Sequence, residues 1–237
     1  MQKNKISILS TRPVGKELVE EAASRGITID EISFIRTEEN IDAFTSKKIE
    51  QLSTQNINAV FTSMNAIEIV GKFIPLNSEW KIFCIGNTTK KLAGSIFKEE
   101  NILGIADSAN ELAEIISSDS KIKKVYFFCG DQRRDELPEK LKKNNKEIEE
   151  LIVYKTIETP GTVLKKYDGI LFFSPSAVKS FFLKNSLSPS TQVFAIGETT
   201  ANAVKLFTQQ NVITPGVPGK ENLVSQAINY FSKTQIS

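Results

Sequence analysis

The chain has 237 residues, of which 40% are hydrophobic and fifteen are phenylalanine, so it can bury one large core or two smaller ones. Lysine and arginine number 30 against 28 acidic residues, and the net charge of +2 argues against a nucleic-acid binder driven by phosphate neutralisation. The complete lack of histidine excludes Ser-His-Asp triads, Cys-His pairs and His-ligated zinc.

Short apolar runs alternate with segments of helical period along most of the chain. The first run, ISILS, precedes GKELVEEAASRG, and the next, NAVFTS, precedes NAIEIVGKF. Further runs, each ahead of an amphipathic stretch, are KIFCIG, NILGIA, KVYFFCG, GILFFS, QVFAIG and NVITPG. This alternation predicts an α/β fold of parallel sheets flanked by helices. The usual dinucleotide and nucleotide loops, GxGxxG after a strand and GxxxxGK[ST], are missing from the sequence.

Neither a membrane span nor an export signal is expected. No stretch approaches the ~20 apolar residues that a transmembrane helix needs, and the start of the chain, MQKNKISILSTR, lacks the apolar core of a signal peptide. The two cysteines, Cys84 and Cys129, each lie in an apolar run, so we expect buried free thiols in a reducing cytoplasm.

Two stretches of the sequence repeat each other. IFCIGNTTKKLAG returns as VFAIGETTANAVK, and one offset of 111 residues sets Ser63 on Ser174 and Leu112 on Leu223 without a gap. A second offset, of 119 residues, sets Leu18 on Leu137 and aligns the first strand and helix with VYFFCGDQRRDELPEKLKKNNK. The sequence therefore predicts two copies of one α/β unit.

The order of the matching pieces predicts that one copy is inserted into the other. We expect two flavodoxin-like lobes: a discontinuous lobe one, residues 1–34 with 160–237, and an inserted lobe two, residues 40–150. The connectors, 35–39 and 151–159, lie in ITIDEISFIRTE and KEIEELIVYKTIE, which look extended and are not rich in Gly or Ser. They predict a two-stranded hinge rather than a flexible tether, and lobes on such a hinge enclose a cleft where a ligand can bind.

The repeated turns are the first candidate binding positions. Each places a glycine after a strand and hydroxyls at the first helical positions: Gly86, Thr88 and Thr89, and Gly197, Thr199 and Thr200. The hydroxyls could cap the helices, or they could join the exposed N–H groups in binding an anion. Ser63 and Ser174 also end strands, and the same two alternatives hold for them. Neither serine lies in a GxSxG elbow, so we reject a serine nucleophile.

Charged and phenolic side chains supply the remaining candidates. The basic side chains near the strand ends are Arg12, Lys16, Arg133, Arg134 and Lys179; they are either solvated surface groups or ligands for substrate carboxylates. Tyr154 is the only tyrosine in the connecting segments. A β-rich setting alone explains it, but a phenol facing the cleft could also donate a proton.

Together, the inserted-lobe arrangement and the motifs FTSMNA, FSPSAV, IGNTT, IGETT, RRDELPEKL and VYKT resemble the uroporphyrinogen-III synthase family over essentially the whole chain. The resemblance implies a cytoplasmic, monomeric enzyme of heme and tetrapyrrole biosynthesis that uses no cofactor and no metal. It implies a cyclising hydro-lyase whose substrate is a small-molecule polycarboxylate, linear hydroxymethylbilane. The product would be uroporphyrinogen III, formed with inversion of ring D and loss of water, with no nucleic-acid or membrane partner.

The resemblance also implies residue roles. Tyr154 matches a tyrosine that assists departure of the substrate hydroxyl, and the matching substrate-binding positions are Ser63, Gly86, Asn87, Thr89, Ser174, Gly197, Thr199 and Thr200. Arg12 and Arg133 complete the predicted substrate-binding set. Pro138 departs from the pattern because it falls within a helical segment, and we place it in the first turn, where proline is tolerated.

Two other functions stay open on the sequence. The first alternative is a non-catalytic two-lobed small-molecule binding protein, since such proteins also close on a ligand. The second is a flavodoxin-like redox module.

Overall fold

The structure is a computed structural model that describes residues 6–75 and 78–234. Its strands are, in chain order, β1 (Ile6–Ser10), β2 (Ile27–Glu31), β3 (Ile35–Glu39), β4 (Asn58–Phe61), β5 (Lys81–Ile85), β6 (Ile102–Ala106), β7 (Lys124–Gly130), β8 (Glu147–Glu158), β9 (Gly169–Phe172), β10 (Gln192–Ala195) and β11 (Val212–Ile213). Its helices are α1 (Lys16–Ser24), α2 (Ala43–Ser53), α3 (Met64–Gly71), α4 (Asn87–Phe97), α5 (Ala109–Ser118), α6 (Glu136–Lys143), α7 (Pro175–Phe182), α8 (Glu198–Lys205) and α9 (Lys220–Thr234).

The strands form two sheets. The five-stranded sheet has the order β11-β10-β9-β1-β2 and is parallel throughout. The six-stranded sheet has the order β3-β8-β7-β4-β5-β6, and its strands from β8 to β6 are parallel. The predicted α/β fold with parallel sheets is confirmed. By chain position the five-stranded sheet runs second, first, third, fourth, fifth, an order typical of flavodoxin-like folds.

The two sheets are built from corresponding elements. β4 and α3 begin at Asn58 and Met64, and β9 and α7 begin 111 residues later, at Gly169 and Pro175. β5 with α4 and β10 with α8 keep the same offset. If β7 and β8 are taken as the first two strands, β8-β7-β4-β5-β6 repeats the order of the other sheet. One arrangement is therefore a circular permutation of the other.

The chain divides into two compact units. Unit 1 comprises the residues up to Arg36 and from Ile157 onward, and unit 2 comprises Thr37–Thr156. Both boundaries fall inside strands, β3 and β8, which are neighbours in the six-stranded sheet. The expected lobe boundaries, residues 1–34 with 160–237 and 40–150, stay a prediction.

The first expected connector, residues 35–39, spans the same residues as β3, and the segment ITIDEISFIRTE around it also contains β2. β2 ends at Glu31 and β3 begins at Ile35, and the two strands belong to different sheets. Between them Phe34 is fully buried and meets Phe181 edge-on, with 5.2 Å between ring centroids. Because this ring is anchored, the chain turns at Phe34. The second connector is a single strand, the 12-residue β8.

A stack of aromatic rings fills one face of the sheet in unit 2. Trp80 lies parallel to Phe97 and Phe128 at 5.8 and 5.2 Å, and Phe128 stacks on Phe61 at 5.2 Å. All four rings are almost completely buried. The indole Nε1 of Trp80 donates to the carbonyl of Leu52 at 2.9 Å, so its polar atom is also satisfied. Rings of this size supply much of the burial that stabilises such a core.

Two further sequence expectations agree with the fold. Cys84 and Cys129 are free and buried; burial raises the pKa of both thiols, that of Cys129 to about 12. Pro138 is the third residue of α6 and so lies in its first turn. Across residues 6–75 and 78–234, no helix is long and apolar enough to cross a membrane.

The aromatic stack makes a prediction about stability. Phe97 lies in α4 and is 2% exposed, so Phe97→Ala should cost about 3–5 kcal/mol of unfolding free energy. Trp80 is the only tryptophan, so its fluorescence reports unfolding of unit 2 in urea. The control is Phe44→Ala on α2, where the ring is 75% exposed, and its effect should stay within about 0.5 kcal/mol. Equal effects of the two substitutions would contradict the stack's role.

Candidate functional site

In unit 2, several predicted site residues lie at the edge of the six-stranded sheet that is formed by the carboxyl ends of its parallel strands. Ser63 follows β4 and Gly86 follows β5, while Tyr154 lies in β8 opposite Gly130, the last residue of β7. The carboxyl ends of parallel strands lie at the same edge of a sheet. Chain order reverses between β7 and β4, and ligands of open α/β sheets bind at such a switch point.

The Tyr154 ring packs directly on the backbone of Gly130. A Cβ atom added to Gly130 would overlap the ring carbons of Tyr154 and lie 2.9 Å from its phenolic oxygen. The backbone N–H of Asp131 donates to the Tyr154 carbonyl at 3.1 Å, and the Asp131 carboxylate accepts from Thr156 N–H at 2.9 Å. Only glycine at position 130 leaves room for this ring, so β7 and β8 together fix the phenol at the sheet edge.

The phenol of Tyr154 is held in its protonated form. Burial raises the pKa of Tyr154, and a hydrogen bond that joins its phenol to the Ser63 hydroxyl offsets a smaller part of that increase. A phenol with an ordinary pKa of about 10 is already protonated at neutral pH, and the raised pKa keeps it so. The proton is therefore present when the substrate hydroxyl departs. The Ser63 hydroxyl also accepts from the Asn65 N–H at 3.2 Å as the N-cap of α3. The capping alternative is thus confirmed for Ser63, and the same hydroxyl contacts the candidate acid.

The glycine turn before α4 leaves its helix N-terminus free. Gly86 is the N-cap with φ of 81°, a left-handed backbone that favours glycine, and no side chain caps this helix. Asn87 and Thr88 are exposed, whereas Thr89 is 7% exposed. Because glycine occupies the cap position, the threonines do not cap α4, and the first N–H groups of the helix are available to an anion.

Arg133 is engaged by carboxylates of its own chain. Its guanidinium pairs with Glu150 on β8 and with Asp135, two residues further along the chain. Two carboxylates next to this cation compensate its charge, so a substrate carboxylate would have to displace them. Among the other basic candidates, Lys16 and Lys179 lie 3.5 and 3.1 Å from glutamate oxygens. Substrate binding by Arg133 stays a prediction, and its ion pairs weigh against it.

In unit 1, the corresponding residues meet at the carboxyl edge of the five-stranded sheet. Arg12 follows β1, Ser174 follows β9 and Gly197 follows β10, and these three strands are neighbours. The guanidinium of Arg12 lies 5.7 Å from the centre of the Phe173 ring, a cation–π geometry. Arg12 is exposed and has no carboxylate partner among the described residues. It is the basic candidate best placed to meet an anion.

The turn before α8 resembles that before α4, and in both turns the second threonine is buried. Gly197 is the N-cap, and no described side chain caps the helix. Thr199 is exposed, whereas Thr200 is fully buried and its hydroxyl has no hydrogen-bond partner among the described residues. Ser174 does cap α7, since its hydroxyl accepts from the Ala177 N–H at 3.1 Å. Of the hydroxyls that the sequence predicts at this edge, that of Thr199 is therefore the most accessible.

Sequence reasoning missed three residues that shape these edges. Gly130 makes room for Tyr154, Phe173 lies under Arg12, and Glu150 pairs with Arg133. A glycine at the end of an apolar strand often marks a close approach by another group, so Gly130 carried a signal. Nothing in the sequence pairs Glu150 with Arg133, because the contact joins separate elements.

In each unit the candidate residues lie at strand ends and helix N-termini. Three cavities described in unit 1 are lined by residues other than the predicted site residues. Within residues 6–75 and 78–234, no cluster of three His, Cys, Asp or Glu side chains could hold a metal ion.

Known proteins resemble this chain in sequence pattern and in fold. Residues 16–225 match the family model described as uroporphyrinogen-III synthase HemD. A solved uroporphyrinogen-III synthetase from Helicobacter pylori superposes with a TM-score of 0.66 at 14% identity, covering 95% of this chain and 99% of that one. A mutant uroporphyrinogen III synthase from Thermus thermophilus gives a TM-score of 0.60 at 11% identity, covering 96% and 99%. At these identities the structural matches show a shared fold. The family match spans most of the strand ends of both sheets, and the chain belongs to the uroporphyrinogen-III synthase family.

Proposed function

We propose that this chain cyclises hydroxymethylbilane to uroporphyrinogen III, with inversion of ring D and loss of water. The observation that carries this proposal is the family match over residues 16–225, which includes both glycine turns and Tyr154. The alternative of a non-catalytic binding protein has no support from the family match. A monomeric state, a cytoplasmic location and the lack of nucleic-acid partners are further predictions for this chain.

The free helix N-termini suit a substrate that carries many carboxylates. The N-termini of α4 and α8 each follow a glycine cap and have no side-chain cap. Such N–H groups bind anions with the help of the helix dipole. Backbone donors need no dense basic cluster, which agrees with a net charge of +2. Arg12 adds one cation at the edge of unit 1, where no described carboxylate pairs with it.

Tyr154 is the proposed acid. Its phenol would donate a proton to the hydroxymethyl oxygen as the carbon–oxygen bond breaks, and the oxygen would leave as water. The electron-rich pyrrole makes this departure easy. The pyrrole N–H proton then passes to the phenolate, which restores Tyr154 and leaves an azafulvene. The substituted carbon of ring D then attacks, a spiro intermediate forms and rearranges, and ring closure releases the inverted product. A strong base is not needed, so a protein without histidine can do this chemistry.

Holding the substrate in one conformation is the larger task of the enzyme. Without an enzyme the reactive azafulvene is attacked by the free α-carbon of ring D, which gives the type I isomer. The enzyme has to outrun that closure and present the substituted carbon instead. Effective molarities from such positioning reach about 10⁵–10⁸ M for well-oriented groups, which exceeds what a single acid supplies.

The activity is tested by the ratio of isomers. Freshly made hydroxymethylbilane is incubated with the protein, oxidised and separated by chromatography. We expect the type III isomer to dominate and the linear substrate to disappear faster than in buffer. A type I product at the buffer rate would overturn the enzyme assignment and favour the binding-protein alternative.

The role of Tyr154 is tested by Tyr154→Phe, which keeps the ring on Gly130 and removes only the hydroxyl. A well-placed acid increases the rate roughly 10²–10⁴-fold. We therefore expect the substitution to lower kcat by about that factor, while the unfolding midpoint changes little. The matched control is Tyr126→Phe on β7, whose ring contacts lysines away from the sheet edge. If the rate of Tyr154→Phe stays within twofold of wild type, Tyr154 is not the acid.

The anion role of the α8 turn is tested by Thr199→Ala. Because Thr199 is exposed and caps nothing, stability should change by less than about 0.5 kcal/mol, and a rise in KM would report lost substrate contact. Ser95→Ala, an exposed hydroxyl far from the N-terminus of α4, serves as the control. Unchanged KM and kcat in Thr199→Ala would remove this hydroxyl from the site.

A further inference from the structure

Unit 1 contains a cavity of about 500 Å³ at the edge of the sheet opposite Ser174 and Gly197. Its walls are the segment 162–167, which leads into β9, and the segment 184–191, which leads into β10. In a parallel sheet the amino ends of strands lie at the edge opposite their carboxyl ends. The cavity is therefore separate from the turns proposed to bind the substrate. Its volume is within the range of about 300–1,000 Å³ that is usual for small-ligand sites.

Side-chain hydrogen bonds hold both walls of the cavity in place. The Asn185 amide accepts from the Val163 N–H at 2.7 Å and donates to the Gly161 carbonyl at 2.7 Å. The Thr191 hydroxyl donates to the Tyr167 carbonyl at 2.8 Å. The segment 161–167 is thus fastened to the opposite wall at both ends, and the cavity is largely pre-formed.

The charge of the cavity is positive and mostly uncompensated. Three of its lining residues are Lys165, Lys166 and Lys184, and none of the lining residues is Asp or Glu. Lys165 lies 2.7 Å from the carboxylate of Asp30. Lys166 and Lys184 are exposed and form no ion pair within the described part of the chain. Two ammonium groups without carboxylate partners favour an anion.

The floor of the cavity is apolar. Leu9, Ile170 and Phe181 close its base and are at most 3% exposed, while the half-buried Val163, Tyr167 and Leu187 supply the apolar surface that a ligand can reach. The C-terminus of α7, the negative end of that helix, is close by, but the Phe181 carbonyl there already accepts from Asn185 Nδ2 at 2.8 Å and from Asn185 N–H at 3.1 Å. With this carbonyl satisfied, its repulsion of an anion is reduced.

We propose that this cavity is a second ligand site, which takes a small organic anion with an apolar ring and one or two carboxylates. The ring would lie on the apolar surface of Val163, Tyr167 and Leu187. The carboxylates would pair with Lys166 and Lys184. Neither an inorganic anion nor a neutral aromatic molecule satisfies both the floor and the lysines. The proposal is independent of the function proposed for the opposite edge.

The test uses phthalate as the probe, and the reporter is Leu164→Trp, because Leu164 lines the cavity and its side chain is 93% exposed. Trp80 is fully buried in unit 2 and adds a constant background. For a ligand of this size we expect saturable binding with a Kd on the order of 1 mM. Dimethyl phthalate has the ring but no negative charge, and inorganic phosphate has the charge but no ring. Each should therefore bind at least about tenfold more weakly than phthalate.

Paired substitutions locate the site. The double variant Lys166→Ala/Lys184→Ala should weaken phthalate binding by about tenfold or more. The control is the double variant Lys47→Ala/Lys91→Ala, which changes the net charge by the same amount away from the cavity. Phthalate binding should be unchanged in this control. Ligand-observed NMR on the protein without the added tryptophan gives the same comparison if the reporter variant does not fold. No saturable binding, equal binding of the diester, or equal effects of the two lysine pairs would overturn the proposal. Displacement of phthalate by uroporphyrinogen III would overturn the claim that the two sites are separate.

Discussion

In both sheets, parallel strand pairing brings the carboxyl end of each strand to the same edge, and the candidate chemistry depends on that arrangement. A helix follows most of these strand ends, so its N-terminus opens at the edge with donors that the helix itself cannot satisfy. Gly86 and Gly197 leave those donors uncapped, while Ser63 and Ser174 cap the neighbouring helices. The capped α3 thus follows the strand next to that of the open α4, and the capped α7 follows the strand next to that of the open α8.

Because the sequence has no histidine, the proposed proton donor is a phenol, that of Tyr154. Tyr154 gains its properties from packing: Gly130 lets the ring lie against β7, and burial raises the pKa of the phenol. A carboxylic acid in the same place would be ionised at neutral pH unless it were strongly desolvated. A phenol, whose ordinary pKa is about 10, keeps its proton at neutral pH even without burial. The choice of residue therefore secures the proton, and packing against Gly130 fixes its position.

Local patterns predicted the strands, the parallel sheets and the repeat, because apolar periodicity and turn residues act over a few neighbouring positions. The same reasoning anticipated Cys84 and Cys129 as buried thiols, and it gave capping as one of two alternatives for Ser63 and Ser174. It could not anticipate the pairing of Arg133 with Glu150, which depends on the distance between two elements. Nor could it foresee that Phe34 would divide an apparently continuous β segment, since only burial against Phe181 shows why the chain turns there.

The insertion of one unit into the other affects the order in which the chain can fold during synthesis. β1 and β2 are made well before β9 to β11, which complete their sheet and start at Gly169. At ribosomal rates of about 5–20 residues per second, the first two strands wait roughly 7–28 s for those partners. Unit 2 is contiguous and has all its strands from β4 onward before that time. During this interval β1 lacks its neighbour β9, so an unpaired strand edge that the finished sheet covers is exposed to aggregation.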